Sequence, residues 1–377
     1  MKQAQELLEK YNAGLASPEE KAMVESWYLK YKTAPSTLTP EELLYEFNIG
    51  LPQLKHRLGQ HKTVKWWSRV AVAASLLLCV GVGLVLLQKQ SPKKAPTMAV
   101  HQPKAITPGT NKAILTLADG RKITLESEQN GNLAEQAGVN IVKHADGRLA
   151  YEDHNGIGNA VAINVLQTPR GGQYQLQLPD GTKVWLNSAS TIKYPSRFAD
   201  DKREITLTGE AYFEVAKKAT DGQRVPFIVS TGLQRIEVLG THFNIKDYES
   251  DHETATTLLE GSVRVTPLQQ PSKAMIITPA QQAITNSDKL TIKTVDVDEV
   301  IAWKNGYFVF EDEDIQSIMT VLSRWYDVDV VYKGEITKQK FGGAFPRSSN
   351  INDLLKYMES YGNVNFKVEG RRIIVMP

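Results

Sequence analysis

The sequence predicts a multidomain membrane protein in four parts. These are a small all-α N-terminal segment, one transmembrane helix, an all-β domain that is solenoid-like or a sandwich, and a small α+β C-terminal domain. Three observations carry this. An uncharged run, VAVAASLLLCVGVGLVLL (70–87), interrupts an otherwise ordinary composition. Short alternating strands punctuated by glycine fill 113–295. Two amphipathic helices with the same apolar pattern stand 36 residues apart within 300–377.

The run has 18 residues. As a helix it is roughly 27 Å long, enough to cross a hydrocarbon core. A buried core helix is the alternative, but such helices rarely lack every charge and every polar face. A signal peptide belongs at the extreme N-terminus. Trp66 and Trp67 precede the run, as interfacial aromatics do. Five basic residues before it (55–69) and four after it (89–104) leave its direction open. The one cysteine, Cys79, lies inside the run, so the larger part has no thiol chemistry and no disulfide. The net charge of +2 gives no basic field for nucleic acid.

Residues 1–65 read as short helices. SPEE (17–20) and TPEE (39–42) are both helix starts, with a capping hydroxyl, proline at the first position and glutamate behind it. Leu7, Leu8 and Tyr11 share one apolar face, and Met23, Trp27 and Tyr28 share another. Such short helices make a very small core, so they either cap the membrane helix or complete their burial on a partner. Eight Glu against five Lys in 1–47 disfavour direct DNA binding.

Residues 88–112 are rich in Lys, Pro, Thr and Gln and read as a linker. LTLADGRKITL (115–125) and LQLPDGTKVWL (176–186) are two similar hairpins with Asp-Gly turns, 61 residues apart. ITLTGEAYFEV (205–215), IEVLGTHFNI (236–245) and LLEGSVRV (258–265) each run into a glycine and out again. A glycine there marks a bulge or a close backbone approach. In the tail, Ile315, Ile318, Met319, Leu322 and Trp325 repeat as Ile351, Leu354, Leu355, Met358 and Tyr361. Strands at 307–310 and 341–345 precede the helices, which makes a duplicated β-α-β unit. The final strand, 372–376, is expected to offer an open edge to another protein.

No catalytic constellation is visible. No histidine has metal-ligand spacing, and His144, Asp153 and His154 read as solvated loop residues. There is no P-loop, nucleophile elbow or dinucleotide fingerprint. The two Asp-Gly pairs read as turns rather than calcium loops. The reading is therefore not an enzyme, with no metal and no cofactor.

TPRGGQYQLQLPDGTKVWLNSASTIKYP (168–195), REITLTGEAYFEV (203–215), PFIVST (226–231), VLGTHFNI (238–245) and LLEGSVRV (258–265) together resemble the FecR-type transmembrane anti-sigma regulators. AWKNGYFVF (302–310) and LSRWYDVDV (322–330) resemble the C-terminal domain of Bacteroidetes-type members, which is similar to the short domain of secretins and TonB-dependent receptors. LLEKYNAGLASPEEKAMVESWY (7–28) is similar to the family's cytoplasmic segment. The resemblance implies that 1–65 binds an extracytoplasmic-function sigma factor through Leu7, Leu8, Tyr11, Met23, Trp27 and Tyr28. It implies that 70–87 crosses the inner membrane with the N-terminus in the cytoplasm. It also implies that 113–295 and 300–377 are periplasmic and read the signalling domain of a TonB-dependent outer-membrane transporter. Some members cut themselves at a Gly-Thr bond in this motif, which makes Gly240 and Thr241 self-cleavage candidates. A glycine bulge followed by an ordinary strand threonine is the competing reading. A membrane-tethered periplasmic glycan or cell-wall binding protein is the alternative function.

Overall fold

The computed structural model describes Lys10 and residues 105–153, 161–287 and 289–377. The run 70–87 lies outside them, as do 1–65 apart from Lys10. No helix among the described residues is long and apolar enough to cross a membrane. Residues 100–377 form one compact unit.

The β region is a continuous sheet folded back on itself into two layers. Strand Arg203–Glu214 belongs to both. Its first half pairs with Ser190–Pro195 and, in parallel, with Phe227–Ser230. Its second half pairs with Lys183–Leu186 and His242–Asp247. The inner faces of both layers supply one core, including Leu115, Leu166, Leu176, Ile192, Phe213, Phe243 and Leu258. Period-2 alternation explains the pairing of layers, because each strand buries one face only.

The three in-strand glycines sit at corners. The chain passes from one layer to the other at Gly209, Gly240 and Gly261, and all three have positive φ. Ala189 and Ala280 turn two further corners with the same handedness. A β-carbon at Gly209 would lie 2.5 Å from Ser190 Oγ and 2.6 Å from its Cα, so a close approach is real there. A bulge lies beside the Gly240 and Gly261 corners, where His242 pairs with Glu260 and Phe243 with Leu258, leaving Leu259 over.

Both Asp-Gly repeats form the same turn. Gly120 N donates to Leu117 O, and Gly181 N donates to Leu178 O. Each aspartate accepts from the backbone two residues on, at 2.9 Å for Asp119 and 3.0 Å for Asp180. Their carboxylates serve the turns. A third copy, at Asp146-Gly147, closes a hairpin in the second layer.

The tail has its own core, built by helices Ile315–Tyr326 and Ile351–Tyr361. Asp314 and Asn350 cap them by accepting from Ser317 N and Asn352 N. The duplication holds at the first four apolar positions and fails at the fifth: Trp325 is 4% exposed and Tyr361 66%.

Two expectations need correction. The final strand, Arg372–Met376, is the centre of its sheet, between Asp329–Tyr332 and Asn365–Glu369, so the open edges are those two neighbours. It is apolar on both sides because it is central. The linker also ends earlier than 112. Thr110–Asn111 pairs in parallel with Gly172–Gln177, and Ile106 packs on the tail core.

Candidate functional site

Two places gather polar groups and strained backbone: the Gly240–Thr241 corner, and the seam between β layers and tail. At the corner, Gly240 has φ +148. Thr241 is 3% exposed, and its hydroxyl donates to Ser262 O at 3.2 Å. Its carbonyl accepts from Val215 N at 3.1 Å. Gly261 lies against both reacting groups of an acyl shift. A β-carbon there would stand 3.0 Å from Thr241 Oγ1 and 3.5 Å from Gly240 O. His242 turns the other way, as strand alternation requires, and its Nδ1 lies 3.2 Å from Glu260 Oε2. The hydroxyl is thus oriented by a carbonyl, with the imidazole occupied elsewhere.

At the seam a buried network runs through both parts. Glu210 accepts from Asn187 Nδ2 at 2.8 Å and from Asn244 Nδ2 at 3.1 Å. Asn187 Oδ1 in turn accepts from Arg347 at 2.8 Å, and Asn244 Oδ1 accepts from the Trp303 indole at 3.2 Å. Arg347, 3% exposed, also donates to Trp303 O at 2.9 Å and lies 3.6 Å over the Trp325 ring. Burial pulls its pKa down to about 10, against the opposing charge of Glu210, so it remains a cation at neutral pH. A second arginine, Arg324, stacks 3.6 Å over Tyr248 and pairs with Asp251. A third, Arg170, reaches across to Asp329 at 3.2 Å and to Val328 O. Gly109 lets the backbone lie flat on Trp325, where a β-carbon would come within 2.6 Å.

No sequence signal marks these arginines, because each finds its partner more than 20 residues away. The six expected sigma-binding residues, Leu7, Leu8, Tyr11, Met23, Trp27 and Tyr28, lie outside the described residues, as does His154. His144 pairs with Glu152 at 3.6 Å. No group of three or more His, Cys, Asp or Glu that could hold a metal occurs among the described residues.

A family model described as FecR protein matches residues 164–264, and one described as FecR, C-terminal matches 307–375. The chain belongs to the FecR family. Two crystal structures of a candidate anti-sigma factor from Parabacteroides distasonis are similar to it, each 29% identical, with TM-scores of 0.50 and 0.51. The likeness covers 56% and 57% of this chain and 97% and 98% of those chains. No curated protein matches the chain. In FecR terms, Gly240–Thr241 falls within the first matched stretch, and Trp325 and Arg347 fall within the second. The seam therefore joins the two FecR segments, through a Trp303 that lies between them.

Proposed function

We propose that this chain is a regulator of the anti-sigma type. It would hold an extracytoplasmic-function sigma factor through residues 1–65 and cross the inner membrane at 70–87. Its β layers and tail would take a signal in the periplasm from a TonB-dependent transporter. One observation carries the reading: both FecR segments occur in one chain that is similar to nearly all of a crystallised chain of a candidate anti-sigma factor. The acidic composition and helical apolar spacing of 1–47 suit a partner with a basic surface, and the uncharged run suits a crossing between two compartments.

The test is co-purification of the full-length chain with the extracytoplasmic-function sigma factors of its source organism. Burying a tryptophan-sized side chain is worth roughly 1.5–3 kcal/mol, so Trp27→Ala should weaken the complex at least tenfold. A chain that retains none of these factors overturns the reading.

Self-cleavage at Gly240–Thr241 belongs to the same proposal. Thr241 Oγ attacks the Gly240 carbonyl carbon, the C–N bond breaks and the nitrogen takes the hydroxyl proton. Water then hydrolyses the ester, leaving a Gly240 carboxylate and a free Thr241 amine. The positive φ at Gly240 and the close approach of Gly261 to Thr241 Oγ1 and the Gly240 carbonyl support it. Mass spectrometry of the purified protein should show a new N-terminus at Thr241, lost in Thr241→Ala. A chain that stays whole on long incubation leaves this bond a structural corner.

A further inference from the structure

A cleft of about 170 Å³ opens on the outer face of the second layer. The strand register sets its floor. Gln175 lies opposite Trp185, and Trp185 lies opposite Tyr212, so these side chains share one face. Gln173 shares that face two residues along. The turn Asp146–Arg148 forms one rim, and Trp303 with Lys304 forms another.

We propose that this cleft binds one ring of a neutral saccharide. Four features carry this. First, the half-buried Trp185 offers an aromatic surface beside planar amides. The C–H face of a pyranose stacks on an indole, while its hydroxyls need partners that both donate and accept, as Gln and Asn do. Second, Gln175 has no side-chain hydrogen bond among the described residues, whereas Gln173 is held by Asn111 at 3.3 Å. Unmade hydrogen bonds are costly, and an incoming hydroxyl group would make them.

Third, the charges are already matched. Arg148 Nε stands 3.6 Å from Asp146 Oδ2 and donates to Gln177. Lys304 Nζ lies 4.5 Å over Trp185 and 4.6 Å over Tyr212, and 3.9 Å from Glu214. An anionic ligand would have to compete with these carboxylates for the two cations, which favours a neutral ligand. Fourth, the volume is well below the roughly 300 Å³ of a drug-sized site, which limits the occupant to about one ring.

The floor of the cleft, with Gln173, Gln175 and Trp185, falls within the first FecR match, whereas Asn111, Asp146, Arg148, Trp303 and Lys304 fall in neither. Trp303 also gives its carbonyl to Arg347. A ligand against Trp303 therefore touches the segment that anchors the tail.

The experiment is isothermal titration of the full-length protein with methyl β-glucoside, methyl β-galactoside, methyl β-mannoside, N-acetylglucosamine and the corresponding di- and trisaccharides. Citrate serves as the anionic control. At least one saccharide should bind, and both Trp185→Ala and Gln175→Ala should weaken it at least tenfold, Gln175→Ala with an unchanged melting curve. Gln175 is partly exposed and unbonded, so Gln175→Ala keeps the test valid if Trp185→Ala fails to fold. The proposal is overturned if no saccharide binds, if binding ignores Gln175→Ala, or if citrate alone binds. Sigma-factor co-purification is independent of this result.

Discussion

Arg347 shows how much one side chain can hold. Its guanidinium satisfies two acceptors on the β side of the seam and stacks on a tryptophan of the tail. Hydrogen bonds from a charged donor are worth about 1.5–3 kcal/mol each. Arg347→Ala should therefore cost about 3 kcal/mol in urea denaturation, and Arg347→Lys should recover less than half, because an ammonium cannot make both planar contacts and stack. Asp251 gives a pH signature. Burial alone would raise its pKa, but the hydrogen bonds from Arg324 and the charge of Lys246 hold it below the ordinary 3.8. A carboxylate with a depressed folded pKa adds stability above its unfolded value, and that stability is lost as pH falls through the folded value. Asp251→Asn should thus lower the urea midpoint at pH 7. The gap to the parent protein should close below pH 3.8, measured by near-ultraviolet circular dichroism. A gap that stays constant with pH would show that the pair contributes nothing.

Strand Arg203–Glu214 is the element on which the β region turns. It changes layer at Gly209, where φ is +95 and Ser190 leaves no room for a side chain. Gly209→Ala adds both an unfavourable backbone state, at about 1–3 kcal/mol, and a clash with backbone atoms. A loss of about 3 kcal/mol or more is expected in the denaturation midpoint. Gly120→Ala has an open site and costs only the φ penalty, about 1–2 kcal/mol. Equal losses in the two variants would mean that the close approach at Ser190 is relieved at no cost. The duplicated helices teach a related lesson. Trp325 and Tyr361 occupy equivalent positions, yet only Trp325 is buried: its indole donates to Arg347 O at 2.8 Å and its ring lies against Gly109.

Across residues 100–377, two cores are joined by a third, small cluster in which Tyr212, Ile301 and Trp303 pack together with Trp185 and Leu259. The junction is therefore part of the β side. A chain ending at 306 should keep this cluster, while one ending at 295 loses Ile301 and Trp303. The 1–306 form should melt several degrees above 1–295, since burying two large apolar side chains contributes roughly 3 kcal/mol or more. Identical melting would show that the cluster adds nothing without the tail. The same truncations separate folding from signalling, because both remove the tail that the proposed function assigns to the transporter.

The sequence by itself determined the local elements. Period-2 alternation, Asp-Gly turns and 3.6-residue spacing depend on neighbours a few positions apart, so the hairpins at 115–125 and 176–186 and both tail helices were legible. The FecR motifs were legible for the same reason, as contiguous strings. Only the tertiary structure decided what depends on distant partners. It showed that the three glycines, read as bulges or close approaches, also turn corners between layers, moved the final strand from edge to centre, and drew 105–112 out of the linker. It also gave one Asp-Gly turn a surface role and the other a buried one: Asp119 is open to solvent, while Asp180 pairs at 2.7 Å with an Arg203 that is 0% exposed. The motif is the same in both, and the difference lies in which layer packs over it. The seam arginines and the outer cleft belong to the same class, since their chemistry exists only where strands far apart in the chain are brought side by side.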